Sequence, residues 1–148
     1  VYSMQQPSRK ISESFSAAGV KFGGGLSHNH LPSRLQQADF VLHVESFDDK
    51  YVQLTKLSVS TKIPEYLSSG ACVIAYGPAS LSSIRLINTN SVGVCLTDLD
   101  DDSTAIRKLV EVFCSEELRT NYCLRSFALA REKFDGMVVR NRFNSLLN

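Results

Sequence analysis

Residues 60–78, Ser60-Thr-Lys-Ile-Pro-Glu65-Tyr-Leu-Ser-Ser-Gly70-Ala-Cys-Val-Ile-Ala75-Tyr-Gly-Pro78, carry the residue types closest to chemistry in this chain. Ser60 and Thr61 are N-cap types, whose hydroxyls accept from amides two or three residues on. Pro64 falls in a first turn, where its missing N–H costs little. The remaining amides of such a turn have no intrahelical partner and carry partial positive charge. An anion such as phosphate suits that place, and Lys62 adds a full positive charge. Glu65, one turn in, can accept from hydroxyls beside the anion. Phosphate next to a polyol describes a nucleotide or a nucleotide-sugar. The plainer alternative is ordinary helix capping, with Glu65 merely favouring the dipole.

Gly70 suits the position after the helix, where φ is positive. Ala71 to Ala75 is then a short apolar run bounded by turn residues, as in a strand buried on both faces. Elsewhere the pattern predicts helices over Gln5–Ala18, Leu31–Ala38, Ala79–Asn88, Thr104–Phe113, Ser115–Phe134 and Asp135–Leu147. It predicts strands over Phe40–Val44 and Val92–Leu96, with short strand pieces at Val1–Ser3 and Val20–Phe22. Glu45–Val59 reads as a long loop, a length that in compact domains usually serves function.

Alternating short apolar strands and helices argue an α/β domain built on a parallel sheet. Ligands of such sheets bind beyond the carboxyl ends of the strands. The turns after Phe22, Val44 and Ala75, and the helix start at Ser60, all belong to that edge. Glu45, directly after a buried strand, is therefore a candidate functional carboxylate. His43 reads as a residue packed in the strand.

The chain has 148 residues, 43% hydrophobic and 21% charged, as in one ordinary globular domain. Its net charge of +1 gives no footprint for nucleic acid. No apolar run has the ~18 residues of a membrane span. Four cysteines, at 72, 95, 114 and 123, form no C-x-x-C pair and read as free thiols in a reducing, cytoplasmic compartment. His28-Asn-His30 lacks the spacing that would recruit those thiols to a metal. Gly23-Gly24-Gly25 fits neither G-x-G-x-x-G nor a P-loop and reads as a flexible turn. Asp48-Asp49 reads as a solvated acidic turn.

The run STKIPEYLSSGACVIAYGP resembles the donor-binding segment of GT-B glycosyltransferases, the retaining group that uses nucleotide-activated sugars. VKFGGGLSHNHLPSRLQQADFVLHVES is similar to the same family's strand, glycine turn, helix and strand, and LVEVFCSEELRTNYCLRSFALAREKFD to its closing helices. The resemblance implies a Rossmann-like three-layer domain, the carboxy-terminal half of a two-domain enzyme that transfers a hexose to a glycan or lipid acceptor. It implies that Ser60, Thr61 and Lys62 hold the donor diphosphate and Glu65 the ribose. It implies that backbone groups of Gly24, Gly25 and Leu26 flank the base. It implies no metal and no cofactor, the nucleotide-diphospho-sugar being substrate. Its members commonly build surface polysaccharides or glycolipids, which implies work at the inner face of the membrane.

The pattern departs from the family in one place that matters. Many members carry Glu-x7-Glu, whose first glutamate contacts the donor sugar, and the position eight residues before Glu65 is Leu57. Glu45, twenty residues before Glu65, is the candidate for that catalytic part. The family's basic pair and acceptor-binding half fall upstream of Val1, so the chain is expected to be a fragment that binds a nucleotide weakly and turns nothing over. The competing expectation is a non-catalytic module with a flavodoxin-like or receiver-like sheet. A receiver would carry acidic residues after its first strand, and Val1-Tyr-Ser-Met supplies none.

Overall fold

Cys72, Val73, Ile74 and Ala75 of the strand Cys72–Tyr76 alternate between two buried environments, and that alternation organises the fold in the computed structural model. This strand, β2, lies between β1 (Phe40–Val44) and β3 (Gly93–Leu96) in a three-stranded parallel sheet of order β1-β2-β3. The register sets Phe40 against Cys72, Val44 against Tyr76, and Val73 against Gly93. Residues 1–2 and 5–147 are described. They fall into two compact units, Val1–Arg34 and Leu35–Asn148.

In the second unit Val73 and Ala75 face one side of the sheet with Val41 and Cys95. They pack under Ile63 and Leu67 of α4 (Lys62–Leu67), Ile84 and Ile87 of α5 (Ser82–Thr89), and Leu129 of α7 (Glu116–Phe134). Cys72, Ile74 and Val94 face the other side, under Val112 and Leu109 of α6 (Asp102–Cys114) and Leu118 and Tyr122 of α7. Helices on both faces explain why β2 is a continuous apolar run, as parallel sheets require. α8 (Gly136–Leu146) closes the chain against α7.

The caps follow the sequence. Asp101 accepts from the Thr104 amide at 2.8 Å, Ser115 from Leu118 at 3.1 Å, and Asp135 from Met137 at 2.9 Å. Each closes an orphan amide at the start of α6, α7 or α8. Gly70 takes φ +86° two residues beyond the cap of α4, and the chain turns there into β2.

The structure departs from the expectations after β1 and in the first unit. The stretch 45–59 is not a loop throughout, because α3 (Asp49–Thr55) forms within it. Asp48 is its cap, accepting from the Lys50 amide at 2.9 Å, so the acidic pair read as a solvated turn starts a helix. Tyr51 and Leu54 stay exposed, which is why no amphipathic stripe announced it.

In the first unit α1 spans only Arg9–Ala17, started by Ser8 after Pro7. No strand forms at 20–22. Instead the Val1 amine donates to Lys21 O at 2.7 Å, and Gly23 N donates to Val1 O at 2.8 Å. That is one repeat of a parallel ladder centred on Phe22, too short to make a strand. Ser3, the end of the expected first strand piece, lies outside the described residues, as does Met4. α2 (Leu31–Gln36) follows a single 3-10 turn at His28–His30.

Candidate functional site

β1 and α4 converge on a cleft of about 540 Å³, within the range that small ligands occupy. It opens beyond the carboxyl end of β1. Its walls include His43 and Glu45 from the strand and its exit, Ser60, Thr61 and Lys62 from the start of α4, and Tyr66 near its end. Thr55 and Ser58, from the end of α3 and the turn after it, close a third side.

Glu45 is fixed in place. Its amide extends the ladder, donating to Tyr76 O at 2.8 Å. Its Oε1 lies 2.9 Å from His43 Nε2, and the two side chains are 17% and 5% exposed. Residues two apart on an extended strand share a face, so the pair follows from the pleat itself. The Tyr66 ring meets the imidazole edge-on, with centroids 6.4 Å apart. Burial, and after it the Glu65 carboxylate, push the Tyr66 phenol up.

The start of α4 is less open than its sequence suggests. The Ser60 amide is already used, donating to Ser83 Oγ at 3.0 Å. Ser60 Oγ accepts from the Lys62 amide only at 3.4 Å, and Ile63 N donates to Ser60 O at 3.0 Å. Thr61, expected as a cap, has helical φ and ψ and makes no capping bond. Its hydroxyl is left available. Among the described residues its amide has no hydrogen-bond partner and the Lys62 ammonium no ion-pair partner. The cleft therefore offers one free amide, one weakly engaged amide, two hydroxyls and a cation on one wall. The Glu45 carboxylate lines the same cleft.

The structure thus brings Glu45, Ser60, Thr61 and Lys62 together. Glu65 lines a separate concavity of about 290 Å³ with Phe127, Arg131 and Phe134 of α7. Burial of Ile63 and Leu67, four residues apart, sets the inward face of α4 and turns Glu65 toward α7. Gly24, Gly25 and Leu26 lie in the first unit, where Gly24 takes φ +75° with open space around it. Sequence reasoning missed the engagement of His43 with Glu45, and the parts of Tyr66 and Ser83. The strand period was the available signal for the first. Nothing local announced Ser83.

Among the described residues no three His, Cys, Asp or Glu side chains come together as a metal group. No described helix is long and apolar enough to cross a membrane.

No protein-family model matches the sequence, and no curated protein matches it. Solved structures do match. WaaG, a glycosyltransferase involved in lipopolysaccharide biosynthesis, aligns with a TM-score of 0.69 at 16% identity, over 96% of this chain and 36% of its own. The fold is the Rossmann-like fold of GT-B glycosyltransferases. Anabaena Alr3699/HepE, solved in complex with UDP-glucose, aligns at 0.66 and 17% identity, over 94% of this chain and 36% of its own. The chain spans about a third of the length of either protein. In this GT-B-type sheet the cleft lies where open parallel sheets receive ligands.

Proposed function

We propose that this chain is the donor-binding domain of a glycosyltransferase, taking a nucleotide-diphospho-sugar whose hexose passes to a glycan or lipid acceptor. One observation carries the reading: Ser60, Thr61 and Lys62 line the same ligand-sized cleft as Glu45, at the carboxyl edge of the sheet. The donor diphosphate lies against Thr61 and Lys62. The cation and amides there stabilise the charge that grows on the leaving diphosphate, an electrostatic role that needs no metal. Glu45 accepts from the sugar hydroxyls. The ribose is assigned to Glu65 on the family resemblance alone, because its side chain lines the separate concavity against α7 and not the cleft. Turnover is expected to require the remainder of a two-domain enzyme. On this reading the protein works in the cytoplasm, at the inner face of the membrane, and its four cysteines, none in a C-x-x-C pair, suit a reducing environment.

Thermal melts with added UDP or GDP test this. A ligand that binds only the native state raises the melting temperature. Lys62→Ala removes a charge-assisted contact worth roughly 1.5–3 kcal/mol, or about 10- to 100-fold in affinity. It should diminish the shift while leaving the ligand-free melt unchanged. Glu65→Ala, measured separately, tests the ribose assignment. The absence of any shift with both nucleotides would favour the non-catalytic module instead.

A further inference from the structure

Glu45 is held by more than its place on the chain. Its side chain lies over Gly77, where an added Cβ would come 2.7 Å from Glu45 Cβ. Only glycine leaves that room. The imidazole of His43 engages Oε1 at 2.9 Å, and a carboxylate can only accept, so the ring donates from Nε2. Oε2 has no partner among the described residues. No described buried side-chain oxygen is unpaired, so Oε2 keeps contact with solvent, and Glu45 lines the cleft.

A His–Glu pair this buried is a poor source of stability, because desolvation offsets the attraction. Apolar residues would serve the sheet as well. What the pair does provide is direction: one oxygen is pinned and the other presented.

We infer that His43 is a positioning residue for Glu45, fixing one carboxylate oxygen so that the other faces the cleft as acceptor for a hydroxyl of the donor's sugar. This rests on the donor-binding reading above and adds to it the group that sets the geometry of sugar recognition. His43 acts through Glu45, with no contact to the sugar of its own.

The readout is the preference for a sugar nucleotide over its bare diphosphate. Calorimetric Kd values would be measured for UDP with UDP-glucose and GDP with GDP-mannose, using the 148-residue chain. Glu45→Gln should lower the preference about tenfold, the loss of one charge-assisted bond. His43→Phe keeps the ring against Tyr66 but cannot donate, and should lower it about as much, with affinity for the bare diphosphate unchanged. If that variant fails to fold, His43→Asn, too short to reach Oε1, replaces it. The double variant should show no further loss, because the two residues act as one unit. His43→Gln, able to donate to the same oxygen, should restore most of the preference. A His43 variant with undiminished preference, or losses that add in the double variant, would overturn the inference and leave the donor-binding reading standing. Binding of none of the four ligands by the wild type would overturn both.

Discussion

The backbone amide of Ser60 donates to the buried hydroxyl of Ser83 at 3.0 Å, across 23 positions of sequence. Ser82 beside it donates to Lys56 O from both its hydroxyl, at 2.8 Å, and its amide, at 3.1 Å. The first turn of α5 therefore holds the segment that delivers Thr61 and Lys62 to the cleft. Ser83→Ala leaves a largely shielded amide unpaired, at a cost of about 1–3 kcal/mol. The melting temperature should fall by several degrees, and nucleotide binding should weaken with it. An unchanged melt would show that the bond contributes nothing.

Gly93 is the tightest point of the sheet. A Cβ there would lie 2.4 Å from Val73 O and 2.9 Å from Val73 Cβ. Val73 is its partner in the β2–β3 register, so relief means parting two paired strands. Gly93→Ala should cost about 3 kcal/mol or more, the upper end for overpacking. Gly136→Ala is the control, since nothing lies within 4 Å of that position and alanine is the better helix former. Urea denaturation should show a large drop in midpoint for the first and none for the second.

Much of this fold is written in local pattern. Phe40–Val44 is legible to the residue as an apolar run, although only Val41 and His43 turn inward and Leu42 and Val44 stay exposed. The run at 71–75 shows buried strand because both its faces are covered. α3 is not legible: only Val52 packs against the core, and its acidic cap looks the same as a solvated turn. At the site, the convergence of Glu45 with Ser60, Thr61 and Lys62 follows from the rule for open α/β sheets. The direction of Glu65 does not, since it depends on which helix covers the outer side of α4. The Ser60 amide looks free in sequence, and only the fold reveals that Ser83 engages it.

The four cysteines should separate by environment. Cys72 and Cys95 are buried, and burial pushes both thiols up to about 12. Cys123 is half-buried and its thiol is also raised by burial, while Cys114 is exposed. The thiolate is the reactive form. Titration with an aromatic disulfide at pH 8 should label Cys114 first and Cys123 slowly, and all four only after unfolding. Fast labelling of Cys72 or Cys95 in the native chain would contradict the two packed faces of the sheet.

Asp100 makes the fold acid-sensitive. Its carboxylate receives Lys108 Nζ at 2.7 and 2.8 Å and the Thr97 amide at 2.9 Å, and Lys108 also donates to Cys95 O at 3.0 Å. Burial by itself would raise its pKa, but the Lys108 ammonium and the Thr97 donors outweigh burial and hold it below the ordinary value. Asp101, capping α6 through the Thr104 amide, is lowered as well. A carboxyl depressed in the folded state binds its proton more readily when unfolded. Its contribution is therefore complete above the unfolded value of about 3.9 and is lost as the pH falls through the folded one. Melts should be flat from about pH 7 to pH 5 and decline below about pH 4. Asp100→Asn should melt lower at pH 7, because the Lys108 ammonium loses its counter-charge, and should fall less steeply in acid. Parallel curves for variant and wild type would mean that the Asp100–Lys108 pair does not govern the acid limb.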